Sequence, residues 1–245
     1  MKKVLVWSPV FLLSFLCAMP FAHAQAPKQM PLTFGPGQTS KTVQGKLVGR
    51  QMADHLIKMK AGQTLSLDFS AKNLSAGYLI YAPNTETAMA TSDISGNKAT
   101  CMMPIDGPVR VRVFINRAAG RRGESTNYSF NAKISGQPLP ALSGGKDALV
   151  AGTPYHATAE VPFEHYLYKD IKKAKAGVIR RGTGGTATLE FTFKDQKRRV
   201  LFVKGKAVAS DAPVDVITTK SGDTIVIRVG FDETYRVNQA LLYGG

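Results

Sequence analysis

Between Pro108 and Ile134 two runs of residues alternate apolar and polar with a period of two, and this stretch limits the possible folds more than any other. Val109, Val111, Val113 and Ile115 share one face of an extended segment, and Tyr128, Phe130, Ala132 and Ile134 share one face of the next. The pattern predicts a hairpin with one buried side. The connection, from Asn116 to about Ser125, is longer than a tight turn needs and sets Arg117, Arg121 and Arg122 against a single acid, Glu124. A connection of this length in a compact domain is often functional, so it is expected to be a mobile cationic finger on a rigid sheet.

The N-terminal stretch has the layout of an export signal. Lys2 and Lys3 precede an apolar core from Val4 to Pro20, and Ala22-His23-Ala24 supplies an A-x-A pattern for cleavage after Ala24. Phe15 and Leu16 before Cys17 are not the small residues of a lipoprotein signal. No other run reaches the roughly 18 apolar residues of a membrane-spanning helix. The expectation is a periplasmic protein that does not span the membrane. Loss of residues 1–24 removes Lys2 and Lys3, lowering the formal charge from +15 to +13. It leaves Cys101 as a lone cysteine, read as a small buried hydrophobe. Such a charge outside the cytoplasm points away from nucleic acid and toward anionic envelope polymers or acidic protein surfaces.

Gln25 to Gly35 is expected to be a loosely ordered arm, with regular structure beginning near Thr42. Strands are predicted at Val43–Val48, His55–Met59, Thr64–Ser70, Tyr78–Ala82 and Thr100–Met103, with a polar loop from Pro83 to Lys98. Short strands, frequent turn signals and no long helical periodicity predict an all-β chain of two small antiparallel β domains, the first a jelly-roll-like β-sandwich. The Pro/Gly/Ser-rich segment 137–146 is the expected linker. It divides a first domain at 33–136 from a second at 147–245, with strands at Thr186–Phe193, Arg199–Val203, Val214–Thr218, Thr224–Val229 and Thr234–Val237.

Residues 33–135 resemble a known sandwich. Phe34-Gly35-x-Gly37, Val43-x-Gly45-x-Leu47-x-Gly49, Lys60-Ala61-Gly62-Gln63-x-Leu65, Tyr78-Leu79-Ile80 and an Arg-rich loop closed by Tyr128 are similar to the bacterial pre-peptidase C-terminal domains and the periplasmic inhibitors of goose-type lysozyme. The glycine pattern is common to both groups. In the inhibitors, arginines stand eleven and seven residues before the closing tyrosine, as Arg117 and Arg121 stand before Tyr128. The resemblance implies partner contacts by Tyr78, Arg117 and Arg121, with Arg122 in place of a lysine, and goose-type lysozyme or another acidic-cleft protein as the partner. Ala118-Ala119 depart from the inhibitors, which have polar residues there.

The second half resembles an uncharacterised module appended to such sandwiches in secreted proteobacterial proteins, through Thr153–Thr158, Arg199–Lys206 and the Tyr-Gly-Gly end. Relatives carry a cysteine pair near the positions of Pro162 and Ala176, which this chain lacks. Two basic clusters stand out, Lys169, Lys172, Lys173 and Lys175, and a group of Lys194, Lys197, Arg198, Arg199, Lys204 and Lys206. Lys194, Lys197, Arg198, Lys204 and Lys206 form a candidate stripe for lipopolysaccharide or peptidoglycan; alternating cations also guard a strand edge against aggregation. Phe191, Phe193 and Phe202 have core phase, so stacked bases are not expected. The chain has no G-x-S-x-G, H-E-x-x-H or Walker A motif, and Gly182–Gly185 is read as a turn. His156 and His165 with Glu164 and Asp170 are more simply structural than metal-binding. A non-enzymatic binding protein without cofactor or metal is expected, acting on a lysozyme or on an anionic polymer.

Overall fold

The structure, a computed structural model, describes residues 27–182 and 184–244. The export signal, with Cys17 and the cleavage site, lies outside them. The fold is all-β, and among the described residues no helix is long and apolar enough to cross a membrane.

The first half is a sandwich of nine strands: β1 (Lys28–Leu32), β2 (Ser40–Val48), β3 (Met52–Met59), β4 (Thr64–Ala71), β5 (Ala76–Tyr81), β6 (Ala88–Thr91), β7 (Lys98–Met102), β8 (Gly107–Ile115) and β9 (Ser125–Ser135). A single turn, α1 (Ser92–Ser95), precedes β7, and α2 (Arg117–Arg121) precedes β9. One sheet has the order β1-β3-β8-β5-β6 and the facing one β2-β9-β4-β7. Two expectations are corrected here. The supposed arm contains β1, which pairs in parallel with β3. The polar stretch after Pro83 contains β6, which pairs with β5.

The hairpin expected at 109–134 is also corrected. Strand β8 pairs with β3 and β5, whereas β9 pairs with β2 and β4, so the two belong to opposite sheets. Alternation identifies a buried face, but two strands that bury faces into one core can do so from either side of it. Val109, Val111, Val113 and Ile115 meet Tyr128, Phe130 and Ala132 in the same cluster.

The second half is a strongly curved eight-stranded sheet. Its strands are β10 (Ala157–His165), β11 (Lys173–Arg180), β12 (Ala187–Phe193), β13 (Gln196–Val203), β14 (Lys206–Ser210), β15 (Val216–Ser221), β16 (Thr224–Val229) and β17 (Glu233–Asn238), followed by α3 (Gln239–Tyr243). The order β14-β13-β12-β11-β10-β17-β16-β15 brings β14 and β15 close enough to nearly close a barrel. With eight strands the interior is filled by side chains. Phe191 stacks on Tyr235 at 4.0 Å between centroids, and Phe163 lies 4.5 Å from Phe193 and 4.9 Å from Tyr235.

Segment 137–146 is tied to both halves. Leu139 N–H donates to Ala61 O and Leu142 N–H to Arg180 O. The buried Arg181 guanidinium reaches Leu139 O at 2.6 Å and Asp106 at 3.1 Å, and the Thr188 hydroxyl donates to Pro104 O at 2.6 Å. Cys101 is buried beside this junction, where loss of solvation pushes its thiol up to about 11.

His55 points from β3 into the sandwich core, with Nε2 3.0 Å from Tyr128 Oη and its ring edge-on to Phe130. Burial lowers its pKa from 6.5 to about 4, with the neighbouring Asp54 opposing the shift. The unfolded chain therefore binds more protons between those values. Stability contributed by the neutral ring is complete above pH 6.5 and is lost as pH falls toward 4, by about 3 kcal/mol in all. Urea denaturation across this range should show that decline, and His55→Gln should remove the part due to the imidazole.

Candidate functional site

The chain between β8 and β9 must pass from one sheet to the other, and it does so at the end of the sandwich. This end is formed by three connections: the β2–β3 turn at Gly49–Arg50, the β4–β5 turn around Lys72–Ser75, and residues 116–124. The second domain joins at the other end, through residues 61, 104 and 106. Strand β8 runs from one end to the other, and its nine residues span about 30 Å.

The 116–124 segment is a capped and packed turn that contains α2. Asn116 caps α2, its side-chain oxygen accepting the Ala119 N–H at 2.9 Å, a geometry that offsets the unpaired amides of a helix start. Ala119 is fully buried in the sandwich core, and Gly120 packs against the β2–β3 turn, where an added Cβ would lie 3.0 Å from Gly49 O. Gly123 takes φ +74°, a left-handed conformation that ends the turn cheaply for glycine. The Asn116 N–H donates to Ser75 O, and the Gly49 N–H to Glu124 O, so all three connections are cross-linked. The Ala118-Ala119 departure therefore has a local cause at its second position: Ala119 is the plug that seats α2 on the core.

Seating Ala119 inward turns Arg117 and Arg121 outward. They are four residues apart on a helical turn, on one face, and both are exposed. Neither forms an ion pair with a carboxylate among the described residues. Glu124, the nearby acid, is already engaged: it accepts from Arg122 Nη2 at 2.6 Å and from the Asn73 side chain at 2.8 Å. Hydrogen bonds from Asn73 and Arg122 hold its carboxyl below the usual carboxylate range. Arg122, expected to contact a partner, is thus internally paired although exposed. Two features escaped the sequence reading because they come from distant turns. Arg50 is exposed and its Cγ lies 3.5 Å from the Cβ position of Gly120, and Leu74 is 98% exposed between Lys72 and Ser75.

Tyr78 requires correction as a contact residue. It is fully buried on the inner face of β5, tilted against Phe69, and its hydroxyl donates to Gly96 O at 2.9 Å. Burial raises its pKa to about 12. Tyr128 is buried as well and acts as the core anchor from which the two arginines are spaced.

The basic stripe of the second domain is broken up. Arg198 points into the barrel, held by Glu233 at 2.8 Å and Asp211 at 3.0 Å. Arg199 lies on the opposite face, buried against Glu190 and Asp211. Arg198 is therefore a structural ion-pair member, corrected from a ligand contact. Lys194 and Lys197 sit at one end of β13, the latter 3.0 Å from Glu190, and Lys204 and Lys206 flank the turn at the other end. Lys169, Lys172, Lys173 and Lys175 are exposed, with Lys173 paired to Glu160. His156 is buried, its Nδ1 accepting the Arg180 N–H, while His165 accepts the Leu167 N–H near the far end of the barrel.

A scan of protein-family models and a search of curated proteins matched nothing. Among solved structures, the chain is similar over 44% of its length to 96% of the Aeromonas hydrophila PliG, a periplasmic lysozyme inhibitor of g-type lysozyme, with 24% identity and a TM-score of 0.42. It is similar over 45% of its length to all of Salmonella Typhimurium PliG, described in the same terms, with 23% identity and a TM-score of 0.37. It is similar over 45% to 96% of the pre-peptidase C-terminal domain of collagenase from Bacillus anthracis, with 9% identity and a TM-score of 0.31.

Replacing Asn116 by Ala removes the cap on α2. The expected loss is about 1 kcal/mol, read from the denaturant midpoint, with faster amide exchange at Ala119 than at Val111 in the core. An unchanged midpoint and unchanged exchange would show that the cap does not hold the segment.

Proposed function

We propose that the chain is an exported, non-enzymatic binding protein whose sandwich end, bearing Arg117 and Arg121, occludes the acidic cleft of a goose-type lysozyme. The observation that carries this reading is the pair itself. Two like charges held at i and i+4 repel each other mildly in the free protein, and the local carboxylate that would relieve them is committed elsewhere. Neither arginine has a carboxylate partner among the described residues. The pair suits a partner that brings its own acids.

Glycosidases hold carboxylates around the scissile bond in a deep cleft. A guanidinium entering that cleft forms paired, charge-assisted hydrogen bonds with a carboxylate and fills space the sugar needs. Because α2 is capped and plugged, little conformational freedom is lost on docking, which favours affinity. Arg50 adds positive potential at the same end, and Leu74, in the β4–β5 turn, supplies an exposed apolar side chain there. The choice of a goose-type lysozyme rests on the resemblance of residues 33–135 and on the spacing of Arg117 and Arg121 from Tyr128. Export rests on residues 1–24.

Purified protein should inhibit a goose-type lysozyme, with inhibition weakening as salt rises. Arg117→Ala and Arg121→Ala should each raise the inhibition constant roughly 10- to 100-fold. Arg228→Ala, an exposed arginine of the barrel, removes the same charge and should leave inhibition unchanged. Equal inhibition by all four proteins, or none by the parent, would remove the proposal.

A further inference from the structure

The end of the barrel opposite α3 carries an apolar tip that plays no part in the reading above. Phe231, in the β16–β17 turn, is 85% exposed; Leu167 and Tyr166, in the β10–β11 connection, are 70% and 62% exposed. Sequence distance separates them, but the fold brings them together. The Tyr166 N–H donates to Asp232 O at 2.9 Å, and the rings of Tyr166 and Phe231 meet edge to face with centroids 6.2 Å apart. A third turn, between β12 and β13, joins them: Lys194 Nζ sits 4.0 Å over the Tyr168 ring, and Gln196 Nε2 lies 3.3 Å from Tyr168 Oη.

Three large apolar side chains standing out from adjacent turns are costly to leave in water and contribute nothing to the barrel interior. They occupy protruding turns, so a flat, deformable apolar phase suits them better than a rigid protein pocket. Tyrosine, with an apolar ring and a polar tip, fits a water–hydrocarbon boundary. The surrounding charges are Lys169, Lys172 and Lys194 against Asp170, Asp195 and Asp232, so the tip itself is electrically balanced. The attraction comes from the whole chain, whose formal charge is +15, or +13 without Lys2 and Lys3.

We propose that this end of the barrel docks on an anionic lipid bilayer, with Tyr166, Leu167 and Phe231 entering the boundary between headgroups and acyl chains. Apolar insertion and electrostatic attraction then act together, each too weak alone for lasting attachment. The docking surface is separate from the sandwich end that holds Arg117 and Arg121, so one chain can engage a membrane and a soluble partner at once.

The chain from Gln25 onward contains every described residue and no tryptophan, since the single Trp is Trp7. Phe231→Trp therefore installs one reporter at the tip. Its emission should shift to the blue with phosphatidylglycerol-rich vesicles, and much less with phosphatidylcholine vesicles, lipid-free peptidoglycan or lipopolysaccharide-derived polysaccharide. Phe231→Ser combined with Leu167→Ser should reduce sedimentation with the anionic vesicles by roughly tenfold or more, with unchanged circular dichroism. The proposal is overturned if the parent does not sediment with anionic vesicles or binds neutral vesicles equally. It is equally overturned if the serine variant binds like the parent, or if the reporter responds to polymer and not to lipid. Lysozyme inhibition is measured on the same serine variant, and its persistence separates this surface from the arginine end.

Discussion

The buried faces of β8 and β9 belong to one core but to different sheets, and the chain between them has to cross the open end of the sandwich. Much of the candidate site follows from that crossing. A crossing segment needs its own anchor, and Ala119 supplies one by entering the core while Asn116 caps the turn and Gly120 allows the β2–β3 turn to pack closely. With Ala119 turned inward, Arg117 and Arg121 have nowhere to point but outward. Glu124 is drawn to Arg122 and Asn73, so among the described residues the outward pair has no carboxylate partner. The site is therefore a by-product of core packing as much as of surface chemistry.

Arginine plays a contrasting part in the second domain. Arg198 and Arg199 are adjacent, so period-two alternation sends one to each face of β13, and both are buried. Asp211 accepts from both side chains and from the Arg199 N–H, Glu233 takes Arg198, and Glu190 takes Arg199 along with the Tyr155 hydroxyl. Removing one partner from such a network leaves a buried charge without compensation, typically at a cost of about 3–5 kcal/mol. Charge count alone does not separate a structural arginine from one that meets a ligand. The acids around it do.

The strands were largely legible where large apolar residues carry the alternation, as in β4, β8, β9, β12 and β16. They were obscure where small ones do: in β11 the inward positions begin with Ala174 and Ala176, and β10 is interrupted by Pro162. Burial of Tyr78 and Arg198 was present in the pattern, since Tyr78 shares phase with Ile80, and Arg198 with Val200 and Phe202. A polar end on each side chain drew the reading toward the surface instead. Sheet membership of β8 and β9 could not be read, because alternation specifies a face and not a neighbour. Arg50 and Leu74, and the meeting of Tyr166 with Phe231, depend on turns that only the fold juxtaposes.

Under the proposed function, a partner lands on the sandwich end remote from the barrel. Hydrogen–deuterium exchange of the protein with and without saturating goose-type lysozyme tests it most directly. Protection should concentrate in residues 49–51, 72–75 and 116–124, with the barrel and the 60–63 and 104–107 turns unaffected. Protection confined to the barrel or to those two turns, or no protection anywhere, would rule out the sandwich end as the partner's landing place.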